Sequence, residues 1–206
     1  SVAEFAEGFP KYGTDSLRFA LCSYSPQAKR IALSPKRIEG YRHFCNKIYN
    51  AVRYALTYMA GVTLNGEPPK AELLVNRWIL SRLARAVEQS SSSIESFRLD
   101  EGSGALYHFF WDELCDWYLE LTKVTFAGTD EAAKTETRQV LAHVLEASLR
   151  ALHPYAPFVT EELWQRVPKP PGHPSSVALA RYPTRADGRS DAGAEAEQSL
   201  VMNVIG

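Results

Sequence analysis

SPKRIEGYRHFCNKIYNAVRYALTYM, residues 34–59 of this 206-residue chain, decides the fold class. Ile38, Tyr41, Cys45, Ile48, Val52, Ala55 and Met59 follow one another at steps of three and four, which sets them along one stripe of an α-helix. Ser34-Pro35 starts that helix, because a serine oxygen accepts an orphan backbone N–H and proline fits the first helical position. Gly61 and the run Asn65-Gly66-Glu67-Pro68-Pro69 end it with turn chemistry. At about 100° per residue, Lys36, His43, Lys47, Asn50 and Tyr54 fall opposite the stripe, with Arg53 flanking them. Two lysines and an arginine can reach phosphates or bases, Asn50 can pair with a base edge, and Tyr54 offers a ring for a splayed base. The same residues also suit the solvated side of any amphipathic helix.

Outward from this stretch the pattern stays helical. Leu17, Ala20, Leu21 and Tyr24 predict a short helix capped by Thr14, after a loop or frayed turn through Lys11. Leu74, Trp78, Ile79, Leu80, Leu83 and Val87 predict a second long helix from Ala71 to about Phe97, with Ser90–Ser93 as a solvated stretch. Asp100 is the expected cap of a helix running to about Thr125, its start weakened by Gly102 and Gly104. Val140, Leu141, Val144, Leu145, Ser148, Leu149 and Leu152 predict another helix, stopped by Pro154 and Pro157. Thr160-Glu161-Glu162 then opens a short one through Val167. After Pro168 the chain is rich in Pro, Gly, Ser and Ala, which predicts an extended or partly disordered tail, with a hint of a short helix from Ala194 to Val204. The expectation is all-α: a bundle of about five helices with an irregular C-terminal tail. Its parts are a connector over residues 1–33, the bundle over 34–167, and the tail over 168–206.

Composition narrows function without naming it. A formal net charge of −1 excludes a globally basic nucleic-acid binder, so any such site is a local patch. Cys22, Cys45 and Cys115 are odd in number and far apart among apolar neighbours, which reads as buried free thiols in a reducing, cytoplasmic compartment. No apolar run approaches the roughly 18 residues of a membrane span. The chain begins at Ser1 and stops at Val204-Ile205-Gly206 inside an apolar pattern, the reading of a piece of a longer protein. His108, His143, His153 and His173 lack zinc-ligand spacing, and Asp112, Glu113, Asp116 and Glu120 read as a charged stripe rather than a metal site. With no phosphate loop, nucleophile elbow or dinucleotide fingerprint, the expectation is no catalytic residue, no metal and no cofactor in this chain.

Longer blocks resemble a known family. Lys11-Tyr12-Gly13-Thr14-Asp15-Ser16-Leu17-Arg18-Phe19 resembles the segment that follows the KMSKS loop of class I aminoacyl-tRNA synthetases. Residues 42–54, RHFCNKIYNAVRY, are similar to the valyl form of the helix that opens the anticodon-binding domain. Residues 110–120, FWDELCDWYLE, agree, and residues 152–164, LHPYAPFVTEELW, match the valyl, isoleucyl and leucyl enzymes alike. The resemblance implies a valine–tRNA ligase whose catalytic domain, with ATP and Mg2+, precedes this chain. It implies tRNA(Val) and that catalytic domain as partners, no membrane, and a monomer. Carried over by position, Lys36, Lys47 and Arg53 stand at basic anticodon contacts, and Tyr54 replaces a stacking Phe. Asn50 is added from helical geometry. Lys36 replaces an Arg and loses its fork, and Ala28-Lys29-Arg30-Ile31 departs from the family pattern. The alternatives are the same domain of an isoleucyl or leucyl enzyme, or a helical protein-interaction scaffold.

Overall fold

The structure is a computed structural model and describes residues 11–27 and 33–205. The loop expected before Lys11 and the segment around Arg30 lie outside the described residues. In chain order the helices are α1 (Thr14–Cys22), α2 (Pro35–Leu56), α3 (Leu74–Glu95), α4 (Leu99–His108), α5 (Leu119–Ala127), α6 (Glu131–Leu152), α7 (Pro157–Trp164) and α8 (Ala192–Ile205). Among the described residues there is no strand. The all-α bundle read from the apolar periods is the fold that forms.

Several ends differ from expectation for local reasons. Gly13, at φ 91°, precedes α1, so Thr14 is its first residue rather than its cap. Asp15 does its work elsewhere: its carboxylate accepts the N–H groups of Phe158 (3.1 Å) and Val159 (2.7 Å), closing the start of α7 from another helix. Pro157, expected to stop a helix, opens α7 at the first position, where its missing N–H costs nothing. Asp100 is not a cap but lies in the first turn of α4, bonded to Arg98. Removing the cross-helix cap, Asp15→Ala, should lower unfolding stability by about 1–2 kcal/mol. A urea titration reads this, and a loss under about 0.3 kcal/mol would show that α1 is not tied to α7 through this carboxylate.

Between α4 and α5 the rod continues, but Phe109–Tyr118 is π-helical, with bonds reaching five residues back. The buried pairs Phe109-Phe110, Leu114-Cys115 and Tyr118-Leu119 recur at steps of five and four, wider than the α period, so the looser winding keeps all of them in the core. Tyr118 then donates to Asn76 Oδ1 (2.8 Å), and Asn76 donates to Glu136 Oε1 (2.8 Å). Glu136 also accepts the N–H groups of Glu72 and Leu73, where α3 begins without a capping side chain of its own. One partly buried polar relay thus starts α3 and joins it to α6 and the π segment.

The expected solvated serines of α3 are partly interior: Ser90 and Ser93 are buried, and Ser90 meets Tyr155 Oη (3.2 Å) and Tyr182 Oη (2.7 Å). Gly102 is buried too. A Cβ there would lie 2.5 Å from Tyr155 Oη, so this glycine permits close approach instead of fraying the helix. Residues 168–191 are extended with two single 3-10 turns, Val177–Leu179 and Arg185–Asp187, yet they are seated on the bundle rather than disordered. Val177 and Asp187 are buried, and Glu161 holds Ser176 Oγ (2.8 Å) and the Val177 N–H (3.1 Å). Lys169 caps the end of α7 through the carbonyls of Trp164 (2.8 Å) and Val167 (3.0 Å).

Candidate nucleic-acid interface

α2 is capped as its sequence requires: Ser34 Oγ accepts the Arg37 N–H at 3.4 Å, and Pro35 holds the first position. Its buried residues are Ile38, Phe44, Ile48, Ala51, Val52 and Ala55. Phe44 and Ala51 were not in the expected stripe, whereas Tyr41 and Cys45, which were, are only half-buried. Two residues at the Phe44 side of the helix rotate the buried face toward Lys47 and Tyr54. The exposed face consequently centres on Glu39, Arg42, His43, Asn46, Asn50 and Arg53, roughly a sixth of a turn from the expected centre at about 100° per residue.

The five expected residues therefore separate. Asn50 and Arg53 are exposed within one turn of each other. Lys36 is exposed as well, but in the first turn, about 25 Å from Arg53 at 1.5 Å per residue. Lys47 is held inward: its ammonium lies 2.5 Å from Asp116 Oδ1 and 4.0 Å from the Trp111 ring centroid, both on the π segment. It fastens α2 to that segment. Tyr54 is half-buried, its hydroxyl donating to Tyr58 Oη (3.3 Å) and its ring edge-on to Tyr58 at 5.3 Å. Tyr58 in turn stacks on Phe126 at 4.1 Å, and Lys123 reaches over Tyr54 at 5.7 Å. Burial, together with the bond to Tyr58, pushes the Tyr54 phenol well up. It stays a neutral ring with a polar rim.

Sequence reasoning missed Arg42 and Asn46, which are exposed beside Asn50 and Arg53, and the Tyr58–Phe126–Lys123 surround of Tyr54. Including Phe44 and Ala51 in the apolar count would have found the first pair. The second needs α5, which the spacing within α2 cannot reach. Neither Arg42 nor Arg53 makes an ion pair among the described residues. Two exposed guanidiniums with two carboxamides between them can bind a phosphate backbone and read base edges.

Among the described residues no group of three His, Cys, Asp or Glu side chains could hold a metal ion. The acids expected as a stripe are ion-pair partners, Glu113 to Arg82 (2.6 Å), Asp116 to Lys47, and Glu120 to Lys123 (2.7 Å). Cys115 is buried as expected, while Cys22 and Cys45 are only half-buried; all three are free. Burial raises the Cys115 thiol to about 12 and the Cys45 thiol to about 11, so both stay protonated and unreactive. Among the described residues no helix is long and apolar enough to cross a membrane.

A strand-free bundle presenting one basic, amide-bearing helix face has the build of a helical RNA-binding domain. The chain belongs to the anticodon-binding domain family of tRNA ligases, which matches residues 76–206. It is 43% identical over 197 residues to the valine–tRNA ligase of Geobacter sulfurreducens, covering 95% of this chain and 22% of that relative. Against the valine–tRNA ligase of Desulfotalea psychrophila it is 40% identical over 100% of this chain and 23% of the relative. The chain thus spans about a fifth of the length of the relatives it matches. In fold it is similar to Agrobacterium radiobacter K84 agnB2 LeuRS, solved as a ternary complex with tRNA and LeuAMS, at a TM-score of 0.62 and 22% identity over 84% of this chain and 20% of that one.

Proposed function

We propose that this chain is the part of a cytoplasmic valine–tRNA ligase that holds the anticodon stem and loop of tRNA(Val). The longer polypeptide joins valine to tRNA(Val) as ATP becomes AMP and diphosphate, and ATP and Mg2+ belong to its other parts. The observation that carries this reading is identity of about 40% to valine–tRNA ligases along nearly the whole chain. The exposed run Arg42, Asn46, Asn50 and Arg53 supports it, as a contiguous patch on a chain with no net basic charge.

In this reading Arg53 and Arg42 neutralise loop phosphates, Asn50 and Asn46 meet base edges, and the Tyr54 face stacks on a splayed base. Lys36 meets the backbone at the far end of α2, and Lys47 acts by holding α2 on the π segment. Titration of the chain with a valine anticodon stem-loop tests it. Arg53→Ala should lower the slope of log affinity against log salt by about 0.7. Lys47→Ala should leave that slope nearly unchanged. Tyr54→Ala should weaken binding between about 5- and 150-fold, the equivalent of 1–3 kcal/mol of stacking. Equal affinity for a scrambled loop would overturn specific reading, and preference for an isoleucine or leucine anticodon loop would reassign the parent enzyme.

A further inference from the structure

The seated tail encloses a cavity of about 330 Å³ against α6 and the end of α7. Pro170, Pro174 and Leu179, the last 72% exposed, form its rim, so it opens to solvent on the tail side. Its inner wall is Trp164, His143 and the cluster of Glu146, Arg150 and Asp187. That volume lies at the lower end of the range for small-molecule sites. None of these residues belongs to the exposed run of α2.

The charges of the wall are satisfied by one another. Arg150 bonds Glu146 (2.8 Å) and Asp187 (3.0 Å), and Arg181 adds a contact to Asp187 at 3.0 Å. The Trp164 N–H goes to Glu146 Oε1 (2.9 Å), and Arg150 Nη1 donates to Arg181 O (3.1 Å). Two guanidiniums against two carboxylates leave no net charge, so a charged guest would lose its hydration without gaining an ion pair. His143 differs. It is 3% exposed, and its Nε2 lies 2.6 Å from Asp187 O. A carbonyl only accepts, so Nε2 carries the proton. Burial pushes the His143 pKa down, which leaves the ring neutral at pH 7 and Nδ1 a bare acceptor. No donor among the described residues reaches Nδ1, nor is that atom sealed from solvent, since the sealed side-chain atom without a partner is Gln198 Nε2 on α8. Nδ1 is an open acceptor in a wall that is otherwise satisfied.

We propose that this cavity binds a neutral ring compound carrying one N–H or O–H, the class of an indole or a phenol. The donor meets His143 Nδ1, and the ring body lies against Leu179, Pro170 and Pro174. A buried acceptor without a partner favours a guest that brings a donor over one that does not. Ring burial against the apolar rim supplies the rest. Because α6 and α7 form one side of the cavity and the tail the other, an occupant bridges them.

Indole titrated into the 206-residue chain, followed by nitrogen NMR of the imidazoles and backbone amides, tests this. A dissociation constant on the order of 1–10 mM is expected for so small a ring. Amide shifts should gather around His143 and along residues 170–181, and the His143 Nδ1 signal should move. The probe 1-methylindole, which lacks the N–H, should bind about 2- to 10-fold more weakly and leave the Nδ1 signal in place. His143→Gln keeps a donor for Asp187 O without an acceptor at the Nδ1 position, and should bring indole down to the affinity of 1-methylindole. Leu179→Trp, at an exposed rim position outside the core, should weaken both probes alike. Equal affinity for the two indoles, or an unmoved Nδ1 signal, would leave water as the partner of His143 and overturn the proposal. Tighter binding of benzoate would overturn the neutral class, and displacement of indole by the anticodon stem-loop would assign the cavity to RNA instead.

Discussion

Arg150→Ala should cost the folded state about 3–5 kcal/mol, the range for removing one partner from a buried charge cluster. The Arg150 guanidinium lies 2.8 Å from Glu146 Oε2 and 3.0 Å from Asp187 Oδ1, and both carboxylates are at most 5% exposed. Glu146 also accepts Trp164 Nε1 at 2.9 Å, and Asp187 accepts the Thr184 N–H at 2.8 Å. Without Arg150, two carboxylates stay in the interior with only neutral donors and the Arg181 contact to Asp187 at 3.0 Å. Urea unfolding followed by circular dichroism measures the loss, and a value under 1 kcal/mol would show that the cluster is not dry.

The same cluster sets an acid limit. Burial pushes the Asp187 carboxyl up, but the Thr184 N–H and the Arg150 and Arg181 guanidiniums outweigh it, holding its pKa below the ordinary value. A carboxyl depressed in the folded state adds stability above its unfolded pKa of about 3.9 and loses it as pH falls through the folded value. Asp187→Asn should therefore flatten the acid limb of stability below about pH 4 while lowering the plateau at neutral pH.

Gly188→Ala should destabilise by about 3 kcal/mol, near the upper end for overpacking. A Cβ at Gly188 would lie 2.5 Å from Leu80 O and 2.6 Å from Ala84 N. Both are backbone atoms of α3 and cannot swing aside. The neighbouring contact confirms how close the chains run: the Arg189 N–H donates to Leu80 O at 3.2 Å. Gly104→Ala makes the control, since nothing lies within 4 Å of its Cβ position, and in mid-helix it should stabilise by up to about 1 kcal/mol. A Gly188→Ala loss below 0.5 kcal/mol would mean the tail is free to lift from α3.

The helices were legible because each carries its own period. Ile38, Ile48, Val52 and Ala55 mark α2, and Trp78, Leu80, Leu83 and Val87 mark α3, without reference to any partner. The π segment was legible in principle, since the spacing of Phe109-Phe110, Leu114-Cys115 and Tyr118-Leu119 is already in the chain. A single α-helix from Asp100 to about Thr125 is the expectation because so short an apolar run fits either winding loosely. The candidate site was half legible: Asn50 and Arg53 are exposed as expected, whereas Lys47 is turned aside by Asp116 and Trp111, sixty-odd residues away.

What the sequence by itself determined is the class: an all-α chain, its helix order, the capped start of α2, and the family its blocks resemble. What only the tertiary structure decided is which face of α2 is free and that residues 168–191 are built in. The physical reason is range. Helical period, caps and turns act over a few residues, so they are written locally. Gly188 against α3, Asp187 on Arg150, and Asp15 at the start of α7 each join residues far apart in the chain, and composition alone reads such segments as loose.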